Sequence, residues 1–93
     1  MALLPWLAAT AAHGAGSMHA RNLAATCTAC HVKGGAGAAA MRPLDGTDAA
    51  RLRSALLAYK SGQRPGSVMP QLARGYSDAE ISEIAAWFAA QQP

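Results

Sequence analysis

Large apolar side chains are scarce in this sequence. Alanine accounts for 24 of the hydrophobic residues and leaves 24 larger ones, and Leu3, Leu4, Trp6 and Leu7 crowd into the first ten positions. The remainder is thin for the core of an ordinary domain, and chains of 93 residues with so little to bury are usually held by disulfides, metals or cofactors. Strict apolar/polar alternation is missing throughout, which excludes a strand-built fold and leaves an all-α class. No apolar run is long enough to span a bilayer. Dense basic clusters interleaved with aromatics are absent, so nothing points to nucleic acid. Nucleotide-binding glycine patterns, metalloprotease motifs and nucleophile constellations are missing as well.

What is present is concentrated in five residues, Cys27-Thr28-Ala29-Cys30-His31. A thiol pair alone is compatible with a disulfide, a redox-active pair or half of a zinc site. The redox-active reading expects a βαβ context that the flanks do not offer. Structural zinc needs four ligands, and beyond these three only His13 and His19 remain, neither at finger spacing. The histidine directly after the second cysteine turns the balance to a c-type haem. Two thiols three positions apart on a helical turn can each add to one vinyl group of the same porphyrin, and the adjacent imidazole then lies under the ring facing the iron. The haem is expected to be the centre of the core, and the haem-free chain to be largely unfolded.

Residues 2–12 are apolar and uncharged, about the length of a signal-peptide h-region, and small residues from Ala12 to Gly16 offer cleavage sites. Residues 1–15 are therefore expected to be a signal peptide cleaved at Ala15/Gly16, with Ala12/His13 as the competing site and 16–93 as the mature domain. No Lys or Arg precedes Arg21, so the basic n-region is missing, and a translation start upstream of Met1 is expected. An alanine-rich first helix of the mature protein is the competing reading. Export to the periplasm fits a haem attached outside the bacterial cytoplasm, in an oxidising compartment.

Three helices are expected. The first covers about 17–30, capped by Ser17, with Met18, Ala20, Leu23 and Ala24 on its apolar side. A glycine-rich loop follows at 33–40. The second helix starts near Thr47 or Asp48, with Thr47 as the cap, and ends at Gly62. Leu52, Leu56 and Tyr59 form its buried stripe, and Arg51 and Arg53 fall on the solvent side. The third opens on a capping box, Ser77 with Glu80, followed by Ile81, Ile84, Ala85 and Phe88 at helical spacing.

With His31 on one face of the iron, the residues available for the other are Met18, Met41, Met69, His13 and His19. Met69 is favoured: it lies in the loop at 64–70 between the second and third helices, stiffened by Pro65 and Pro70 and able to turn at Gly66. Met41 is the competitor. Pro43 is assigned to the haem site on a further ground. A ligating histidine usually donates its second ring N–H to a carbonyl, and residues 42–46 lie where the chain can return to offer one. Pro43 merely ending the loop is the alternative.

The order of C-x-x-C-H, glycine-rich loop, Pro43-Leu44-x-Gly46, helix, Met69 and amphipathic terminal helix resembles the class I c-type cytochromes, from Ser17 to the end. That resemblance implies a small fold of three main helices around one covalent haem c, with the first and last helices crossing at an aromatic, Trp87 or else Phe88. The stretches 58–69 and 75–80 are similar to one branch, the cytochrome subunit of flavocytochrome c sulfide dehydrogenases, whose haem accepts electrons from a flavoprotein. Two features depart from it: Val32 follows the histidine where glycine is common, and there is one haem motif where some subunits carry two.

Iron closed by His31 and Met69 has no position for oxygen, peroxide or substrate, so the expected role is one-electron transfer rather than catalysis. Three readings compete: a subunit docked on a flavoprotein, a free periplasmic shuttle, and a haem sensor or peroxidase-like enzyme with an open or labile sixth position. A monomer or a heterodimer is expected. The formal net charge is +3, and Lys33, Arg42, Lys60, Arg64 and Arg74 in or beside the loops could form a docking ring for an acidic partner. A solvated surface is the plainer account of the same charges.

Overall fold

Four α-helices carry the chain in the computed structural model, which describes residues 17–31 and 41–93. The expected signal segment and the glycine-rich loop lie outside the described residues.

Helix α1, Met18–Thr28, starts where the sequence places its cap: Ser17 is extended and its Oγ accepts the Ala20 N–H at 2.9 Å. Ala20 and Ala24 are fully buried, one turn apart, on the side that packs against the last helix. Their small side chains let the two helices approach closely. Met18, expected on this side, is exposed. The helix stops two residues before Cys30 because shorter bonds take over: the Ala29 and Cys30 amides donate to the Thr26 and Cys27 carbonyls at 3.4 and 3.2 Å.

Helix α2, Ala49–Ser61, is capped by Asp48 rather than Thr47; the carboxylate accepts the Arg51 N–H at 3.1 Å. It ends on Gly62 in the left-handed region, φ +86°, where a Cβ would strain the backbone. Leu52 and Leu56 are buried and Tyr59 is half-buried, so the expected stripe faces the core.

A short helix that the sequence reading treated as loop, α3, spans Met69–Arg74. Six residues show no period to read, and no side chain caps the start. Pro70 fits its first turn, where a missing N–H costs no bond. The Val68 carbonyl accepts from Gln71 and Leu72 at 3.0 and 3.1 Å, and α3 packs on α2 with Ala73 buried. Met69 thus opens a helix instead of lying in a loop.

Helix α4, Asp78–Ala89, has the expected capping box: Ser77 Oγ accepts the Glu80 N–H at 3.1 Å and Glu80 Oε1 accepts the Ser77 N–H at 2.9 Å. Ile81, Ile84, Ala85 and Phe88 are all buried. They meet Ala24, Leu52 and Leu56 in one cluster, so α4 is the element on which α1 and α2 both rest. Phe88 is the fully buried aromatic, and half-buried Trp87 meets it edge-to-face at 5.0 Å. Two polar links join α2 to α4: Lys60 Nζ to Asp78 at 2.8 Å, and Arg53 Nε to Ser82 Oγ at 2.9 Å. Arg53 therefore has a structural partner where the sequence reading gave it only solvent. The described residues contain no strand, and no helix among them is long and apolar enough to cross a membrane.

Candidate cofactor site

The exit turn of α1 gathers the three signature side chains. The Cys27 carbonyl accepts both the Cys30 and the His31 amides, at 3.2 and 2.9 Å, which holds thiol, thiol and imidazole on one turn. Both cysteines are free thiols, Cys27 half-buried and Cys30 exposed. Burial pushes the Cys27 thiol up from its ordinary value, against a smaller opposing effect of a backbone hydrogen bond. Among the described residues no three His, Cys, Asp or Glu side chains converge as a metal cluster would require.

The imidazole is held from behind. His31 Nδ1 lies 2.7 Å from the Arg42 carbonyl oxygen. A carbonyl only accepts, so Nδ1 carries the proton and Nε2 presents its lone pair. The acceptor belongs to Arg42 and not to Pro43. Pro43 follows directly, and a proline disfavours helical backbone at the residue before it.

An apolar cleft of roughly 760 Å³, counted out to its open mouth, is lined by Cys27, Cys30, His31, Leu56, Met69 and Ile84 among others. Four large apolar residues are conspicuously exposed among the described ones, and three of them line this cleft: Met41 at 47%, Val68 at 58% and Leu72 at 38%. Apolar surface left open in a concave patch marks a ligand site. A second cleft shares His31, Leu44, Leu56 and Met69 with the first and adds Arg42, Arg51 and Arg64 beside Thr47, Ser54 and Tyr59. Neither cleft has an Asp or Glu in its lining. The combined groove is apolar at one end and cationic at the other, which suits a flat apolar ligand with an anionic edge. Haem, with its apolar ring and two carboxylates, fits that donor set.

The groove collects some of the residues that the sequence pointed to and leaves others apart. Cys27, Cys30, His31, Met41 and Met69 come together; Met18 lines neither cleft, and exposed His19 sits 3.7 Å from Glu83. His13 and Lys33 lie outside the described residues. Of the basic ring, Arg42 and Arg64 line the second cleft, whereas Lys60 is engaged by Asp78. Arg51 lines the groove although it was read as solvated. The signal that identifies it is the row of Arg51, Ala55 and Tyr59, spaced four apart along one side of α2.

Comparison with known proteins agrees with this geometry. A family model described as cytochrome C oxidase, cbb3-type, subunit III matches residues 9–88. Cytochrome c-554(548) of Halomonas halodenitrificans is 42% identical over 71 residues, covering 72% of this chain and 86% of that protein. The cytochrome subunit of sulfide dehydrogenase of Chlorobaculum tepidum is 32% identical over 66 residues, covering 71% of this chain and 60% of that protein.

Proposed function

The chain belongs to the class I c-type cytochromes, and from that premise we propose that it is a periplasmic single-electron carrier that accepts electrons from a flavoprotein subunit. The family's cofactor is haem c, and the Cys27/Cys30 pair is the matching attachment site. Cys27 and Cys30 would hold the haem through thioether bonds to its two vinyl groups. When bound, the haem supplies a one-electron ferric/ferrous couple.

The observation that carries the reading is the pairing of His31 and Met69 in one cleft with both thiols. The Arg42 carbonyl holds Nδ1, so Nε2 is the imidazole nitrogen that would bind the iron. Met69, from a different element, is the second. Met41 directly precedes the residue whose carbonyl binds His31, which puts its backbone on the histidine side and favours Met69 for the opposite face. The apolar lining would pack against a bound haem, and with the Met69 thioether it would favour the ferrous state. Arg42, Arg51 and Arg64 offer counter-charges to the porphyrin carboxylates. With His31 and Met69 both supplying donors, a bound iron would keep no open position for substrate.

An absorption spectrum tests this directly. The oxidised protein is expected to show a weak band near roughly 695 nm, lost in Met69→Ala, and the reduced protein to ignore carbon monoxide. Carbon monoxide binding at neutral pH by the unmodified protein would overturn the reading in favour of a haem sensor or peroxidase-like enzyme.

The flavoprotein partner and export with removal of residues 1–15 belong to the same proposal. The similarity to a sulfide dehydrogenase cytochrome subunit supports a docked subunit. The higher identity to cytochrome c-554(548) supports the second reading, a free shuttle. Sulfide-dependent haem reduction by a co-purifying flavoprotein would favour the first, and weak, salt-sensitive encounters the second.

A further inference from the structure

The segment that delivers Met69 is folded onto a single aromatic ring. Past the left-handed turn at Gly62 the chain doubles back over the end of α2, where the Arg64 N–H donates to the Ala58 carbonyl at 3.1 Å. The Arg64 guanidinium carbon then lies 4.9 Å from the centroid of the Tyr59 ring. Two residues on, Gly66 passes so close that a Cβ there would stand 3.4 Å from Tyr59 Cε1 and 3.2 Å from Pro70 Cδ. Gly66 does not have a positive φ. A methyl at Gly66 would press by a few tenths of an ångström on Pro70 in the first turn of α3 and touch the edge of the Tyr59 ring, so the strap lies directly against both.

We propose that Tyr59 is a positioning residue for Met69. Its ring is the platform on which the strap of residues 62–70 is clamped, by the Arg64 guanidinium and by the close approach of Gly66. This inference rests on Met69 being the axial ligand. A thioether is a neutral, readily displaced donor, and α3 has no side-chain cap to fix its start. The effective concentration of the Met69 sulfur at the iron therefore depends on how tightly the strap is held. Removing the ring loosens the strap, and inserting a methyl at Gly66 lifts it. The hydroxyl of Tyr59 is not needed for either contact.

The test uses the haem-loaded protein and free imidazole as a competing ligand for the ferric iron, with the band near 695 nm reporting the bound methionine. Tyr59→Leu is expected to tighten apparent imidazole binding about tenfold and to lose the band at a lower temperature than wild type. Gly66→Ala shifts both in the same direction, and it decides the matter if the leucine variant fails to load haem. Tyr59→Phe keeps the ring and stays within about twofold of wild type. Arg53→Ala cuts the α2–α4 link to Ser82 away from the strap, and it lowers the melting temperature without changing imidazole affinity. Wild-type imidazole affinity in Tyr59→Leu would overturn the proposal. So would a phenylalanine variant as weak as leucine, which would transfer the role to the hydroxyl. Failure of the ligand assignment is distinguishable, because Met69→Ala would then retain the band.

Discussion

Single residues carry this site in two different ways. Cys27, Cys30 and His31 act through side-chain chemistry that no other residue type supplies, and they are legible from the sequence alone. The acceptor behind His31 is a main-chain carbonyl, which every residue possesses, so the sequence could narrow it only to 42–46. The structure assigns it to Arg42, and Pro43 stands directly after it, where a proline restricts the backbone of the residue before it. A consequence can be measured. Pro43→Ala leaves the acceptor in place but frees the backbone ahead of it, so the bond weakens and the imidazole becomes a poorer donor to ferric iron. The reduction potential is expected to rise by at most a few tens of millivolts, about the one-electron equivalent of part of a net hydrogen bond. Potentiometric titration of the two proteins checks it; an unchanged or lower potential would count against this role.

Among the elements, legibility followed length and capping. The twelve-residue α4 has a reciprocal cap and a full apolar stripe, so its start and its buried face are legible in the sequence. The six-residue α3 was not, because its start depends on Pro70 and packing against α2 instead of a periodic pattern. Arg51 and Arg53 show the limit of a stripe argument: both lie off the buried row of α2, yet one faces the groove and the other reaches Ser82. The junction of α2 and α4 yields a pH prediction. The hydrogen bond and charge of Lys60 hold the exposed Asp78 carboxyl below its ordinary value. A depressed carboxylate stabilises the fold above its unfolded value, near pH 4, and that contribution disappears as pH falls through the still lower folded value. Lys60→Met is therefore expected to melt slightly below wild type at neutral pH, and the gap should close in acid. A gap that persists below about pH 3 would mean that Lys60 acts through its aliphatic stem.

At the scale of the whole molecule, the shortage of large apolar residues seen in the sequence is also a property of the fold. Nine described residues form the buried core, and four of them (Ala20, Ala24, Ala73 and Ala85) are alanine. Leu52, Leu56, Ile81, Ile84 and Phe88 remain to supply most of the burial, too little to organise four helices around an apolar groove without something in it. A variant with both Cys27 and Cys30 replaced by serine, prepared without haem, should lose near-UV circular dichroism while keeping some helix. Native-like near-UV signal in that variant would refute a haem-centred core. The all-α class and the site chemistry were visible beforehand because composition and motif state them directly. The cationic end of the groove was not, because Arg42, Arg51 and Arg64 are spread over 23 positions and only the fold brings them together.

The amide of Gly46 donates to the Phe88 carbonyl at 2.9 Å, which fastens the stretch behind His31 to the carboxyl end of α4. The strap leading to α3 is tied to α2 by the Arg64–Ala58 bond, whereas α3 itself has no side-chain cap and one buried side chain, Ala73. On the proposed ligation, the histidine side is fastened to the best-capped helix and the methionine side rests on the shortest. The methionine side is then expected to open first, with His31 and the cysteine attachments staying in place. Sub-global opening would then expose one chosen face of a bound metal rather than release the cofactor, and hydrogen exchange should run faster through residues 62–74 than at the amide of Gly46.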